Sequence, residues 1–208
     1  MKIAGHRSDR RWARLKAQLQ ANPSRKLWES AYQNFYLKRI ETRYLNPIRA
    51  IGKSDTESGE GFSIVALLCT LVEFLESCER GFNFHFVGRT GYRLQQYEYS
   101  ESTASTYFRD FLRNRAPFSQ EFPANLIDGF YRDVRCGLLH EARTKGGWMI
   151  STRSSKALVH QKRTSIVLYR HRLLACFEQY FQDYRHRLLM VQATQEALIR
   201  KFDFLCLP

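Results

Sequence analysis

The residues most able to do chemistry cluster in one stretch, 123–143. At about 100° per residue, Ile127, Phe130, Tyr131, Val134 and Leu138 share one side of a helix and form a core stripe. Arg132, Arg135, Cys136, Leu139 and Arg143 fall roughly opposite, with His140 at the edge. A histidine changes charge near neutral pH, and an arginine presents a planar fork of donors. Together they suit an anion, above all a phosphate. The face is either a solvated basic surface or one that packs on a partner while offering Arg and His to an anion. Leu139, placed among polar residues, favours the second reading.

Other familiar chemistry is missing from the sequence. It has no G-x-x-x-x-G-K-[ST], no G-x-G-x-x-G, no H-E-x-x-H and no serine in a nucleophile elbow. Gly88 and Gly91 (GRTG) make only a fragment of a phosphate-binding turn. The five cysteines, at 69, 78, 136, 176 and 206, are odd in number and include no C-x-x-C pair. Cys69, Cys136 and Cys176 sit in apolar-periodic stretches, as small buried hydrophobes do. A reducing cytoplasm is expected, with no metal ligand set and no cofactor motif.

Charge points to the partner. The chain has 208 residues, with 33 Lys and Arg against 20 Asp and Glu, a net of +13. The excess is +9 over residues 1–50 and +6 over 151–208, while 51–100 carries −3 and 101–150 carries +1. Basic ends of this strength call for a polyanion, with nucleic acid first and an anionic membrane surface second. Simple solubility is the bland alternative. No helix pairs a broad Trp/Phe/Leu face with a lysine-rich one, which argues against the membrane. The most apolar run, Phe62–Leu75, is too short and, with Glu73, too polar to span a bilayer.

These residues need a scaffold, and the pattern predicts a mostly helical one. Residues 9–21 read as a basic helix ended by Asn22-Pro23, and Ser24 caps a second helix that runs to Pro47. Residues 52–61 read as a polar loop, and Phe62–Arg80 as the central buried helix ended by Gly81. Residues 82–100 are ambiguous, because their aromatics fit either strands or loop padding. Helices follow over 101–115, capped by Ser102 or Thr103, and from Pro123 to Glu141. Gly146-Gly147 then breaks the pattern. Short β-like runs over 147–168 suggest a hairpin or ribbon, and one long helix closes the chain.

The segment FYRDVRCGLLHEARTK, from Phe130 to Lys145, resembles the R-x4-6-H motif of the HEPN superfamily (higher eukaryote and prokaryote nucleotide-binding domains), most of all a plasmid- and defence-associated bacterial branch. Arg39-Ile40, Arg43-Tyr44 and Pro47-Ile48 are similar to that branch's second helix. Phe62-Ser63-Ile64-Val65 and Glu73-Phe74-Leu75-Glu76-Ser77 are similar to its central one. The likeness spans about residues 35–190. Spacing alone is weak, since roughly two such pairs are expected by chance. Three occur, Arg80/His85, Arg135/His140 and Arg153/His160, and only the second lies in a strong helical pattern.

The resemblance implies an all-α, HEPN-like helical bundle forming a single domain over 1–208. It would comprise a basic N-terminal helix (1–24), core helices (25–146), a small β-hairpin excursion near 147–168 and a long C-terminal helix (169–201). It also implies a cytoplasmic, homodimeric, metal-independent endoribonuclease that needs no cofactor. In that family the ribose 2′-hydroxyl attacks the adjacent phosphate and leaves a 2′,3′-cyclic phosphate. His140 would be general base or acid and Arg135 the phosphate clamp. Cys136, Glu73, Arg132 and Lys145 would support them: Glu73 by orienting Arg135, Arg132 and Lys145 by touching phosphate, and Cys136 with Leu139 at the dimer interface.

The chain departs from the pattern at Cys136, where active members often carry Asn, Asp or His, and at Ala142, where toxin-type members carry Tyr. The partners implied are RNA, a second copy and an antitoxin or regulatory protein, with a role in toxin–antitoxin systems or phage defence. A catalytically inactive HEPN module that binds RNA or a protein is the alternative. A helical bundle whose basic ends bind nucleic acid nonspecifically is a third reading. Residues five apart lie about 140° apart on a straight helix, so Arg135 and His140 can share a face only if the helix ends or deforms near His140.

Overall fold

The computed structural model describes residues 1–54, 59–88 and 91–207. It is 67% helix and 10% strand. Two compact units emerge: one from residues 1–47, 77–103 and 181–207, the other from 48–76 and 104–180.

The first unit opens with a short antiparallel hairpin, Lys2–Ala4 against Arg7–Ser8, which the sequence did not indicate within the 1–24 segment of the basic helix. The helix itself spans Asp9–Ala21, capped by Ser8, whose Oγ accepts from the Arg11 N–H. Trp12, Leu15 and Leu19 form its buried stripe, while Arg10, Arg11 and Arg14 stay exposed. Trp12 packs at 5.1–5.2 Å from Phe35 and Phe202, and its indole N–H donates to Asp203 at 2.8 Å. Ser24 caps the next helix through the Leu27 N–H, as the sequence indicates.

That helix does not stop at Pro47. Helical backbone runs over 25–54, with wide π turns at Tyr32–Leu37 and Glu41–Leu45. Pro47 is second in the α segment Asn46–Ser54, a first-turn position that needs no N–H donor, and the change of register at Glu41–Leu45 provides that fresh start. The predicted loop over 52–61 therefore shrinks, and its residues 55–58 lie outside the described residues, as do Arg89 and Thr90 of the GRTG fragment. The ambiguous aromatic stretch contains two-residue parallel strands, Asn83–Phe84 with Glu98–Tyr99. The predicted 169–201 helix is two, Arg170–Met190 and Gln192–Phe204, parted by extended Val191. No Gly or Pro marks that break. It lets the last helix bury Ala197, Leu198 and Phe202, the last of these against Trp12.

The second unit holds the elements that carry the candidate site. Glu60–Arg80 is longer than its apolar run and long and apolar enough to cross a membrane by composition, with 56% of its most apolar window buried inside the protein. Phe108, Phe111, Phe118, Phe130, Trp148 and Phe177 make an aromatic core with ring centroids 4.9–6.4 Å apart. The excursion over 147–168 is more than a hairpin. Val159–Gln161 and Ile166–Tyr169 are antiparallel, and Trp148–Ser151 joins the latter in parallel. The third strand tucks Trp148 into the core, 5.5 Å from Phe130.

One ion pair anchors this unit. The Glu76 side chain is fully buried, and Arg115 grips it with two bonds of 2.9 and 3.0 Å. Removing one partner of a buried pair leaves an uncompensated charge. Arg115→Ala should lower unfolding free energy by about 3 kcal/mol, read by urea denaturation. A change within experimental error would mean that the pair is not an anchor.

Candidate functional site

The site is built on helical backbone over 127–141, with a π turn at Phe130–Arg135 and an α segment at Cys136–Glu141. Ile127, Phe130, Val134 and Leu138 are buried as the periodicity indicates, and Tyr131 is half-buried. Asp133 is buried too, which the helical pattern did not predict. Its backbone carbonyl accepts from the Lys145 N–H at 2.9 Å, so it receives the returning chain.

Two glycines set how closely that return packs. A Cβ on Gly137 would stand 2.5 Å from the carbonyl oxygen of Arg143, and one on Gly146 would stand 2.5 Å from Asp133 Oδ2. Gly146 also has φ +56°, and Ala142 turns the chain off the helix with φ +53°. The helix thus ends at Glu141, as the sequence indicates. A glycine inside a helix often signals such a close approach.

The basic face is largely neutralised from within. Arg132, exposed, forks onto Asp133 at 2.8 and 2.6 Å. Lys145 pairs with Glu141, which Arg143 also meets at 3.3 Å. The Lys145 ammonium holds the Glu141 carboxyl below its ordinary range. Arg132 and Lys145, expected to touch phosphate, each have a carboxylate instead. Arg135 does not: its guanidinium stands 5.5 Å over the Tyr131 ring and 4.0 Å from the Cys136 thiol. Tyr131 carries Arg109 at 4.4 Å as well, but Arg109 pairs with Asp128 at 2.6 Å. Glu73, expected to orient Arg135, is half-buried and engaged in a contact of its own. Among the described residues, Tyr131 and Cys136 meet the Arg135 guanidinium, with Cys69 close enough to feel its charge.

Arg135 and Leu139, one turn apart, border a groove of about 350 Å³. Its other wall is a stripe of mostly small side chains on Glu60–Arg80: Ser63, Ala66, Leu67 and Thr70. Cys69 lies beneath, and burial pushes its thiol up to about 12, so it is no ready nucleophile. Leu139 is 54% exposed. His140 is exposed in the last turn. Because Cys136–Glu141 is regular α-helix, His140 lies about 140° around and about 7.5 Å along from Arg135. The irregular turn falls before Arg135, not between the two, so one chain does not bring them to a common face. Among the described residues, no group of three His, Cys, Asp or Glu side chains is placed to hold a metal ion.

Comparisons with protein-family models, with curated proteins and with solved structures return no match.

The contact at Gly137 is directly testable. Gly137→Ala forces the return loop off the helix and should destabilise the protein by about 1–3 kcal/mol, despite alanine's better helix propensity. Calorimetry should show a lower Tm, and an unchanged or higher Tm would refute the close packing.

Proposed function

We propose that this chain is a HEPN-type, metal-independent endoribonuclease that works as a two-fold dimer in the cytoplasm, as a toxin or anti-phage effector. The carrying observation is the Arg135 guanidinium, half-buried at a groove and, among the described residues, without a carboxylate partner, five residues from an exposed histidine on the same helix. A phosphorane developing in the groove would draw on that charge. His140 would act as general base, taking the 2′-hydroxyl proton as that oxygen attacks phosphorus, or as general acid, giving a proton to the 5′-oxygen as its bond to phosphorus breaks, with water as the other proton partner. The +13 charge supports a polyanionic substrate.

A second copy answers the 140° separation. A two-fold axis beside the helix sets the Arg135 of one protomer near the His140 of its partner. The small-residue stripe and exposed Leu139 suit close helix packing there. An antitoxin or regulatory protein would bind over the same face. The catalytically inactive RNA- or protein-binding module is the second reading, favoured by that same separation within one chain and by Cys136 and Ala142.

End-labelled RNA incubated with the protein in excess EDTA should yield fragments ending in 2′,3′-cyclic phosphate. His140→Ala and Arg135→Ala should each slow cleavage by at least about 100-fold with folding intact. RNA binding without cleavage in all three proteins favours the binding module. Leu139→Glu buries a charge in the packed face and should shift the protein to monomer in sedimentation, with loss of cleavage. A Leu139→Glu dimer of full activity would place the interface elsewhere.

A further inference from the structure

A second cavity, of about 540 Å³, opens in the same unit and uses neither Arg135 nor His140. Two helices of 21 residues begin on it, Glu60–Arg80 and Arg170–Met190. Each N-terminus contributes about half a positive charge. The second helix adds Arg170, His171 and Arg172 in its first turn, with no acidic residue there. Cations at that end oppose the dipole, an arrangement that an anion would relieve.

Arg172 is accounted for, because Glu121 grips it at 2.7 Å through Nε. Arg170 is not. It is 6% exposed, lines the cavity, and has no carboxylate partner among the described residues. Its one polar contact is with its neighbour, His171 Nε2, at 3.5 Å. A guanidinium that lines a cavity and meets no carboxylate among the described residues is placed to take an anion there. Glu60 is the opposing charge on the wall and has a contact of its own. Against it, among the described residues that line the cavity, stand Arg170 and two helix ends, a net of about one positive charge even with His171 neutral.

The walls suggest what the anion is attached to. Gly59 caps the first helix with no side-chain oxygen to offer its N–H groups, and Gly61 lets the backbone line the cavity. Phe62, 41% exposed, and Ile150 give an apolar side, and Thr152 a hydroxyl. The volume fits a small organic ligand rather than a bare ion. We propose that this cavity binds the phosphate monoester of a small molecule, with Arg170 as the charged anchor, His171 beside it, and the ligand's body against Phe62 and Ile150.

The test is calorimetric titration with inorganic phosphate, ribose 5-phosphate and phenyl phosphate, with phenol as the uncharged control. Phenyl phosphate should bind, phosphate alone should bind more weakly, and phenol should not bind. Arg170→Gln should weaken the phosphates at least tenfold, as expected for loss of a charge-assisted bond of about 1.5 kcal/mol or more. Arg153→Gln, an exposed change that does not line the cavity, should leave binding intact.

Should Arg170→Gln fail to fold, Gly61→Ala carries the test. Its Cβ would stand 3.2 Å from Ile150 Cγ2, so it should weaken phenyl phosphate more than phosphate while keeping the helix. No binding at millimolar concentration, or equal binding in Arg170→Gln and Gly61→Ala, overturns the proposal. Binding lost in Arg135→Ala instead would put the phosphate at the ribonuclease groove and likewise overturn it. RNA cleavage is scored separately, so either reading can fail alone.

Discussion

The close seating of the 142–147 return on the 127–141 helix governs what the rest of that unit can do. The contact at Gly137 leaves no room for even a methyl group, and Asp133 receives the Lys145 N–H beside it. One side of the helix is thereby closed by backbone. Lys145 and Arg143 arrive with that backbone and are drawn to Glu141. The opposite side, with Arg135 and Leu139, is left facing the Glu60–Arg80 helix across an open groove. The route of the loop therefore decides which cations are spent on internal pairs and which stay available.

The same economy of charge runs through both units. Arg185 meets Glu29, Arg187 meets Glu79, Arg172 meets Glu121 and Arg115 meets Glu76. Whatever each adds to stability, each removes a positive charge from competition for a ligand. Against that background, arginines that meet no carboxylate among the described residues and line a concave surface become informative: Arg135 beside an apolar groove and Arg170 at a cavity are two in the second unit.

The first half of the Glu60–Arg80 helix serves both places. Gly61 and Phe62 face the larger cavity, while Ser63, Ala66, Leu67 and Thr70 form the groove wall. Its buried stripe, with Val65, Leu68 and Val72, fixes it in the core. A ligand that shifts its N-terminal turn would be felt in the groove one turn away, because packed helices transmit small displacements rather than absorb them.

Much was legible in the sequence where a local signal existed. Ser24 capping, the Asp9–Ala21 helix and the core stripe through Phe130, Val134 and Leu138 follow from cap chemistry and 3.6-residue periodicity, which act within a few residues. The total charge and its weight at the two ends were equally plain. The break at Val191, the passage of helix through Pro47 and the parallel pairing of Trp148–Ser151 with Ile166–Tyr169 were not, since each depends on partners far along the chain. The candidate pair divides the same way. Sequence marked Arg135 and His140 by residue type and spacing, but the regular α turn between them sets them on different faces. Arg170 carried no motif at all. Only the folded chain, by setting that arginine at a cavity beside two helix ends and giving it no carboxylate among the described residues, made it stand out, because the energy of a charge depends on what surrounds it and not on its neighbours in sequence.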